Sequence, residues 1–74
     1  MKDLQDRLLD AHDAGDPGVL AQLYAQAADA ASTEEAQGFY LTHAYVFALE
    51  AGIELADTVR QQLIEMGREP GPDT

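Results

Sequence analysis

The chain has 74 residues, of which 14 are acidic and 4 basic, and it contains no cysteine. This length supports one domain at most, and without cysteine the chain forms neither a disulfide nor a cysteine-ligated zinc site. A net charge of -10 argues against nucleic acid and anionic membranes as partners, because both repel an acidic surface. The start has no apolar stretch and no segment approaches the roughly 20 apolar residues of a membrane span, so we expect a soluble, cytoplasmic protein.

Alanine, leucine, glutamine and glutamate are common, and no run alternates between apolar and polar residues. These residues favour helices, and the missing alternation argues against strands, so we predict an all-α fold. We expect a single helical domain over residues 1–67 and a flexible C-terminal tail over residues 68–74. The acidity is interpreted as a solubility feature, with a basic partner or mimicry of DNA charge as alternatives.

The first helix is predicted from about Lys2 to Ala14. At about 100° per residue its apolar face holds Leu4, Leu8 and Ala11. The opposite face carries four aspartates, which are Asp3, Asp6, Asp10 and Asp13. Neighbouring carboxylates repel one another, so we interpret this stripe as a solvated surface rather than a cation site.

Gly15 is predicted to end that helix in left-handed backbone, which glycine adopts without strain. Asp16 is placed to cap the second helix and Pro17 to open it. The second helix is predicted from about Pro17 to Ala31, with an apolar face of Val19, Leu20, Leu23, Tyr24, Ala27 and Ala31. Ser32 should then cap the third helix, with Glu35 reaching back to complete a capping box.

The third helix, predicted from about Thr33 to Ala51, is apolar around its circumference and carries no full charge between Gly38 and Leu49. A helix that is apolar on every side is normally buried on every side. We therefore predict either that this helix is central or that one of its faces meets a partner. The core that joins the two halves of the chain is predicted to hold Tyr24, Ala27, Tyr40, Ala44 and Phe47.

Gly52 is predicted to turn the chain into a fourth helix, from about Ile53 to Met66, which Gly67 and Pro70 end. Its apolar face is predicted to hold Leu55, Ala56, Val59, Leu63 and Met66.

The two halves of the chain are similar to each other. Ala11, Ala14 and Gly15 recur at one constant offset as Ala48, Ala51 and Gly52. Such self-similarity is typical of stacked helical hairpins, and here the chain resembles tetratricopeptide repeats, whose helix-turn-helix unit has about 34 residues. The segment AHDAGDPGVLAQLYAQAADAAS matches the second half of a unit, with Gly15 at the turn glycine, Tyr24 at the second-helix aromatic and Ala27 at the small packing residue. The segment AYVFALEAGIELADTVRQQLIEMG matches more loosely.

The chain also departs from the repeat pattern. Leu8 and Tyr45 are large where the family has a small residue, and Ala11 and Ala48 are small where it has an aromatic. The sizes are exchanged in both units, which is consistent with compensation. Ser32 stands where the unit usually ends in proline.

The resemblance implies four antiparallel helices arranged as two stacked hairpins, with the first helices of the two units lining a groove. Mapped onto this chain, the partner-binding residues would be Gln5, Leu9, His12, Phe39, Thr42, Val46 and Leu49. Independently, Leu9 falls outside the apolar face of the first helix, and the third helix has more apolar surface than one core needs. The alternative is that helices 2 and 4 cover this surface. The mapped groove lacks the Lys and Asn residues with which some family members clamp a peptide carboxylate, so we expect an apolar ligand surface.

Catalytic chemistry has little support in the sequence. His12 and His43 are the only histidines, and no Ser or Cys nucleophile accompanies them, while Thr42 points to another face. No His-x-x-x-His or Glu-x-x-His pair suggests a metal site. We expect no catalytic residue, cofactor or metal, and interpret both histidines as packing or rim residues.

Two functions remain open. The first is a non-enzymatic protein–protein interaction module, an adaptor or scaffold that binds a protein or peptide segment such as an amphipathic helix in the apolar groove between helices 1 and 3. The second is a homodimeric helical bundle of structural role, joined through the third helix.

Overall fold

The computed structural model describes residues 3–68. Within this range the regular secondary structure is entirely helical, and the four helices are Leu4–Ala14 (α1), Pro17–Ala30 (α2), Glu34–Ala51 (α3) and Leu55–Glu65 (α4). The predicted all-α class is confirmed, with helix ends one or two residues inside several predicted bounds. Of the predicted tail, only Arg68 lies among the described residues. None of the described helices is long and apolar enough to cross a membrane.

Two glycines end α1 and α3 with nearly the same backbone geometry. Gly15 has φ 65° and ψ 38°, and Gly52 has φ 67° and ψ 34°. The hydrogen bonds match as well: the pairs are Gly15 N–H to His12 O, Asp16 N–H to Ala11 O, Gly52 N–H to Leu49 O and Ile53 N–H to Ala48 O. A Cβ strains this left-handed conformation, so glycine is favoured at both positions. The prediction that both glycines lie in turns between helices, with at least Gly15 at positive φ, is confirmed, and Gly52 has positive φ as well.

The helix starts follow local capping rules, with one correction. Asp16 caps α2 as predicted, because its Oδ1 accepts a hydrogen bond from the Val19 N–H at 3.2 Å. The predicted cap of α3 at Ser32 is wrong. Thr33 is the last extended residue before α3, and its Oγ1 accepts from the Ala36 N–H at 3.0 Å. The cap therefore lies one residue later, where the side chain can reach the free N–H groups of the first turn.

The first part of the core lies between α1 and α2. Ala11, Leu20 and Leu23 are buried, with Leu4 and Leu8 packed against them. This confirms the predicted apolar face of α1, whose residues recur every three to four positions.

The second part joins α2, α3 and α4. It contains the buried residues Ala28, Leu41, Ala44, Val59 and Leu63. Alongside it lies a cluster of Ala21, Ala48 and Ala56 from the same three helices. Helix axes pack at about 8–10 Å depending on the side chains between them, and small side chains allow the closer approach.

The structure does not enclose α3 on every side, so of the two alternatives predicted for this helix the one with an exposed face remains. The backbone of α2 approaches α1, α3 and α4, whereas α3 approaches only α2 and α4. The described chain spans 39 × 28 × 15 Å between Cα atoms, and its shortest dimension accommodates about two helix layers. The physical reason why α2 has more neighbours lies in two of its alanines, Ala21 and Ala28, which are buried beside Leu20, Leu23 and Ala27 and widen its buried arc. Val19, predicted on that apolar face, is 42% exposed.

Candidate functional site: the outer face of α3 and the groove beside it

The side of α3 that faces away from the core carries large apolar side chains. We call Phe39, Thr42, Val46 and Leu49 the outer face of α3. All four are exposed, and the exposed fractions are 56% for Phe39, 48% for Val46 and 55% for Leu49. At about 100° per residue they fall within a sector of about 80°. The alternative that α2 and α4 cover this surface is therefore wrong.

The distribution of side-chain size around α3 explains why its outer face is exposed to solvent. The residues that α3 buries are Gly38, Leu41, Ala44 and Ala48, three of which are small. The larger Phe39, Val46 and Leu49 point away from that packed side, where burial in the domain core cannot stabilise them. Single exposed apolar residues are common on proteins, but several on one face are the informative case.

Glutamates mark both ends of the outer face. The remaining exposed residues of α3 are Glu34, Glu35 and Glu50. Glu35 precedes Phe39 by four positions and Glu50 follows Val46 by four, so both project from the same side of the helix. The sequence of α3 contains no Lys or Arg. The exposed side of α3 is thus an apolar stripe with a carboxylate at each end.

A groove of about 480 Å³ lies beside this face, between α1 and α3 and above α2. Its lining residues are Asp3, Leu4, Gln5, Leu8, Tyr24, Ala27, Phe39 and Tyr40. Gln5 and Phe39 were among the predicted partner-binding residues. Phe39 also belongs to the outer face of α3, so the two surfaces are continuous through its ring.

Six other lining residues were not among the predicted partner-binding residues. Asp3 belongs to the predicted acidic stripe of α1, and the other five belong to predicted apolar helix faces or to the predicted core. Tyr24 and Tyr40 are half-buried, as is Phe47, whereas Ala27 and Ala44 of the same predicted core set are fully buried. A tyrosine carries a polar hydroxyl, which favours a position where the ring is packed and the hydroxyl end is exposed to solvent. This property was the signal that could have placed the two tyrosines at the edge of the core.

Tyr24, which lines the groove, also belongs to a cluster of aromatic rings. Tyr24 and Phe47 stack with centroids 5.7 Å apart and planes inclined by 9°. His12 sits edge-on to Phe47 at 5.8 Å, and its Nε2 lies 3.3 Å from the Tyr24 hydroxyl oxygen. Through these contacts a ring from α1 reaches α2 and α3, although the backbones of α1 and α3 do not approach closely.

His43 packs against Phe39. Its ring lies 4.4 Å from the Phe39 ring, and its Nδ1 donates a hydrogen bond to the Phe39 carbonyl at 2.9 Å. A carbonyl only accepts, so Nδ1 carries a proton in this geometry. Thr42 similarly donates from Oγ1 to the Gly38 carbonyl at 2.8 Å. Both polar side chains thus bond to the backbone of α3 itself.

The seven predicted partner-binding residues are all exposed, and they are distributed over different parts of the surface. Gln5 and Phe39 line the groove, and His12 contacts the ring of Tyr24, which also lines it. Thr42, Val46 and Leu49 lie on the outer face of α3, and Leu9 projects from α1 outside the groove lining with 60% of its surface exposed.

The aspartates of α1 belong to no metal-binding cluster among the described residues. In the range 3–68 no group of three or more His, Asp or Glu side chains is placed to hold a metal ion. Asp3 instead caps α1, with its Oδ1 accepting from the Asp6 N–H at 2.9 Å.

Comparison with known proteins adds no relative: no family model, no curated protein and no solved structure matches the chain.

Proposed function

We propose that this protein is a non-enzymatic protein–protein interaction module, a small adaptor or scaffold built from two stacked tetratricopeptide-like hairpins. Its docking surface is the outer face of α3 together with the groove between α1 and α3. The observation that carries this proposal is the exposure of Phe39, Val46 and Leu49 on one side of a single helix. Contiguous apolar surface of this kind typically marks a binding site.

The hairpin arrangement is supported by the two turns. Each short turn ends a helix with a glycine at φ near 65° and leads into a helix that packs against the preceding one. Ala11 and Ala48 each accept one of the two hydrogen bonds of their turn, occupy equivalent places in the two halves, and are buried. Repetition of one supersecondary unit is how stacked repeats bury a continuous core.

The apolar stripe suits an amphipathic helix as its ligand. Such helices present side chains at intervals of three, four and seven residues, and they bind grooves or faces with the same periodicity. Phe39 and Val46 are seven positions apart, and the Phe39 ring provides an aromatic anchor of the type that dominates binding energy at interfaces. His12 packs against the Phe47 ring and His43 against the Phe39 ring, and the proposal gives neither histidine a catalytic role.

A homodimer joined through the same face is the second candidate. It rests on the same exposed residues, since an isologous interface would bury two copies of them against each other. The net charge of -10 per chain opposes this association, although salt screens charges beyond about 8–10 Å.

Two exposed valines provide a matched test. Val46, on the outer face, is 48% exposed, and Val19, near the start of α2, is 42% exposed. Val46→Lys and Val19→Lys therefore make the same chemical change at similar exposure. Circular dichroism should show that both variants fold, and light scattering over a range of concentrations gives the mass.

The interaction-module account predicts a monomer at every concentration. It also predicts that an apolar amphipathic helical peptide binds the parent and Val19→Lys but loses at least tenfold in affinity with Val46→Lys. A dimer that only Val46→Lys dissociates would favour the second candidate. Equal behaviour of both variants in both assays would contradict both.

A further inference from the structure

We propose that the occupant of the outer face of α3 is an amphipathic helix of another protein that carries Lys or Arg at both ends of its apolar stripe. This inference rests on the proposed function and specifies the chemistry of its partner. The charges around Phe39, Val46 and Leu49 favour such a partner.

The carboxylates are placed where the ends of a docked helix would lie. Glu35 and Glu50 are exposed and project from the same side of α3 as the apolar residues between them. Fifteen residues of α-helix span about 22 Å at 1.5 Å per residue. A ligand helix of about four to five turns that lies along α3 would therefore bring its own two ends beside these glutamates.

The charges around this face are mostly of one sign. The sequence of α3 has three glutamates and no basic residue. The described cation that lies against α3 is Arg68, which covers Gly38. Gly38 is buried and lies about 100° around the helix from Phe39, so this guanidinium borders the buried side of the stripe at the level of its Glu35 end, while Glu35 itself is exposed. Basic side chains at the ends of a ligand helix would meet opposite charge, which steers association and selects the partner.

A second copy of the chain fits this face poorly, because its own α3 would bring further glutamates to the ends of the stripe. An antiparallel pairing of two α3 helices brings Glu35 of one copy to Glu50 of the other, and a parallel pairing brings each glutamate to its own counterpart. Either arrangement places carboxylates together at both ends of the contact, and like charges across an interface are unfavourable. The charge pattern thus discriminates between an unlike, basic helix and self-association.

Three synthetic peptides test this inference on the full chain. Each is an amphipathic helix of about 18 residues with leucines at intervals of three and four residues. The two positions near each end are Lys in the first, Gln in the second and Glu in the third. Fluorescence anisotropy with labelled peptide at low and moderate salt measures the affinities.

The Lys peptide should bind about 2- to 30-fold more tightly than the Gln peptide, because each exposed ion pair contributes a few tenths to one kcal/mol. The Glu peptide should bind weakest, and added salt should reduce these differences.

A pair of neutralising variants separates local charge from the net charge of the chain. Glu35→Gln with Glu50→Gln should abolish most of the preference for the Lys peptide. Asp57→Asn with Glu65→Gln removes the same net charge from the exposed side of α4 and should leave the preference nearly intact. If both double variants lose the preference equally, general attraction rather than the ends of the stripe selects the peptide, and the inference is wrong.

Two further outcomes distinguish failure of this inference from failure of the proposed function. Equal binding of all three peptides, still abolished by Val46→Lys, would overturn the charge selection and leave the docking face in place. Absence of binding by any of the peptides would overturn both. A concentration-dependent dimer that Glu35→Gln with Glu50→Gln strengthens would show that the occupant is a second copy instead.

Discussion

Two leucines of α3, eight positions apart, should lose very different amounts of stability on the same substitution. Leu41 is 2% exposed and belongs to the core between α2, α3 and α4, whereas Leu49 is 55% exposed on the outer face. Leu41→Ala loses the full burial of the side chain and leaves a cavity, which lowers the free energy of unfolding by about 3–5 kcal/mol. A 74-residue domain has a total stability of about 4–11 kcal/mol, so this variant should be close to unfolding at ambient temperature.

Leu49→Ala should cost less than about 1 kcal/mol, because less than half of the side chain is buried and alanine favours the helix. One kcal/mol shifts the melting temperature of a domain of this size by about 4–8 °C. Thermal melts followed by circular dichroism should thus show a fall of about 12 °C or more for Leu41→Ala and of less than about 8 °C for Leu49→Ala. Equal losses in dilute solution would refute the orientation of α3. A loss for Leu49→Ala that grows with protein concentration would instead indicate that a second copy covers the face.

Three smaller predictions test the local structure, each by urea or thermal unfolding. Gly15→Val and Gly52→Val should each lower the free energy of unfolding by about 1 kcal/mol or more. No neighbouring atom lies within 4 Å of a Cβ built at either glycine, so the loss comes from backbone strain and not from a clash. A neutral effect would contradict the positive φ. Thr33→Ala should lower the free energy of unfolding by about 0.5–2 kcal/mol because a helix cap is lost, and Ser32→Ala should be nearly neutral. A larger loss for Ser32→Ala than for Thr33→Ala would indicate that Ser32 is the cap. Phe47→Ala should cost less than Leu41→Ala, since Phe47 is half-buried, and a larger cost would place that ring deeper in the core.

The helices and turns could be predicted because their signals are local. Gly15, Asp16 and Pro17 specify the end of one helix and the start of the next within three residues, through backbone conformation and hydrogen bonds to neighbours in the chain. The cap of α3 was missed by one position because Ser32 and Thr33 can both accept the same type of hydrogen bond. Only the backbone conformation of the two residues distinguishes them.

The packing was harder to predict because hydrophobicity does not reveal which neighbour covers a residue. The apolar circumference of α3 suggested burial on all sides, whereas its outer face is bare. Conversely, Ala21 and Ala28 are weak hydrophobic signals, yet both are buried and place α2 at the centre. The groove was missed in part because Tyr24 and Tyr40 looked like core residues, although their hydroxyl groups favour an edge position.

The central claim, that the outer face of α3 binds a partner helix, is tested most directly by nuclear magnetic resonance. The amide resonances of the ¹⁵N-labelled protein are followed while the unlabelled amphipathic peptide with Lys at both ends is added. We predict that the shifts concentrate at Phe39, Thr42, Val46 and Leu49 and leave Val19 unchanged. Shifts centred on α4 or near Val19, or no shifts at a tenfold excess of peptide, would contradict the account.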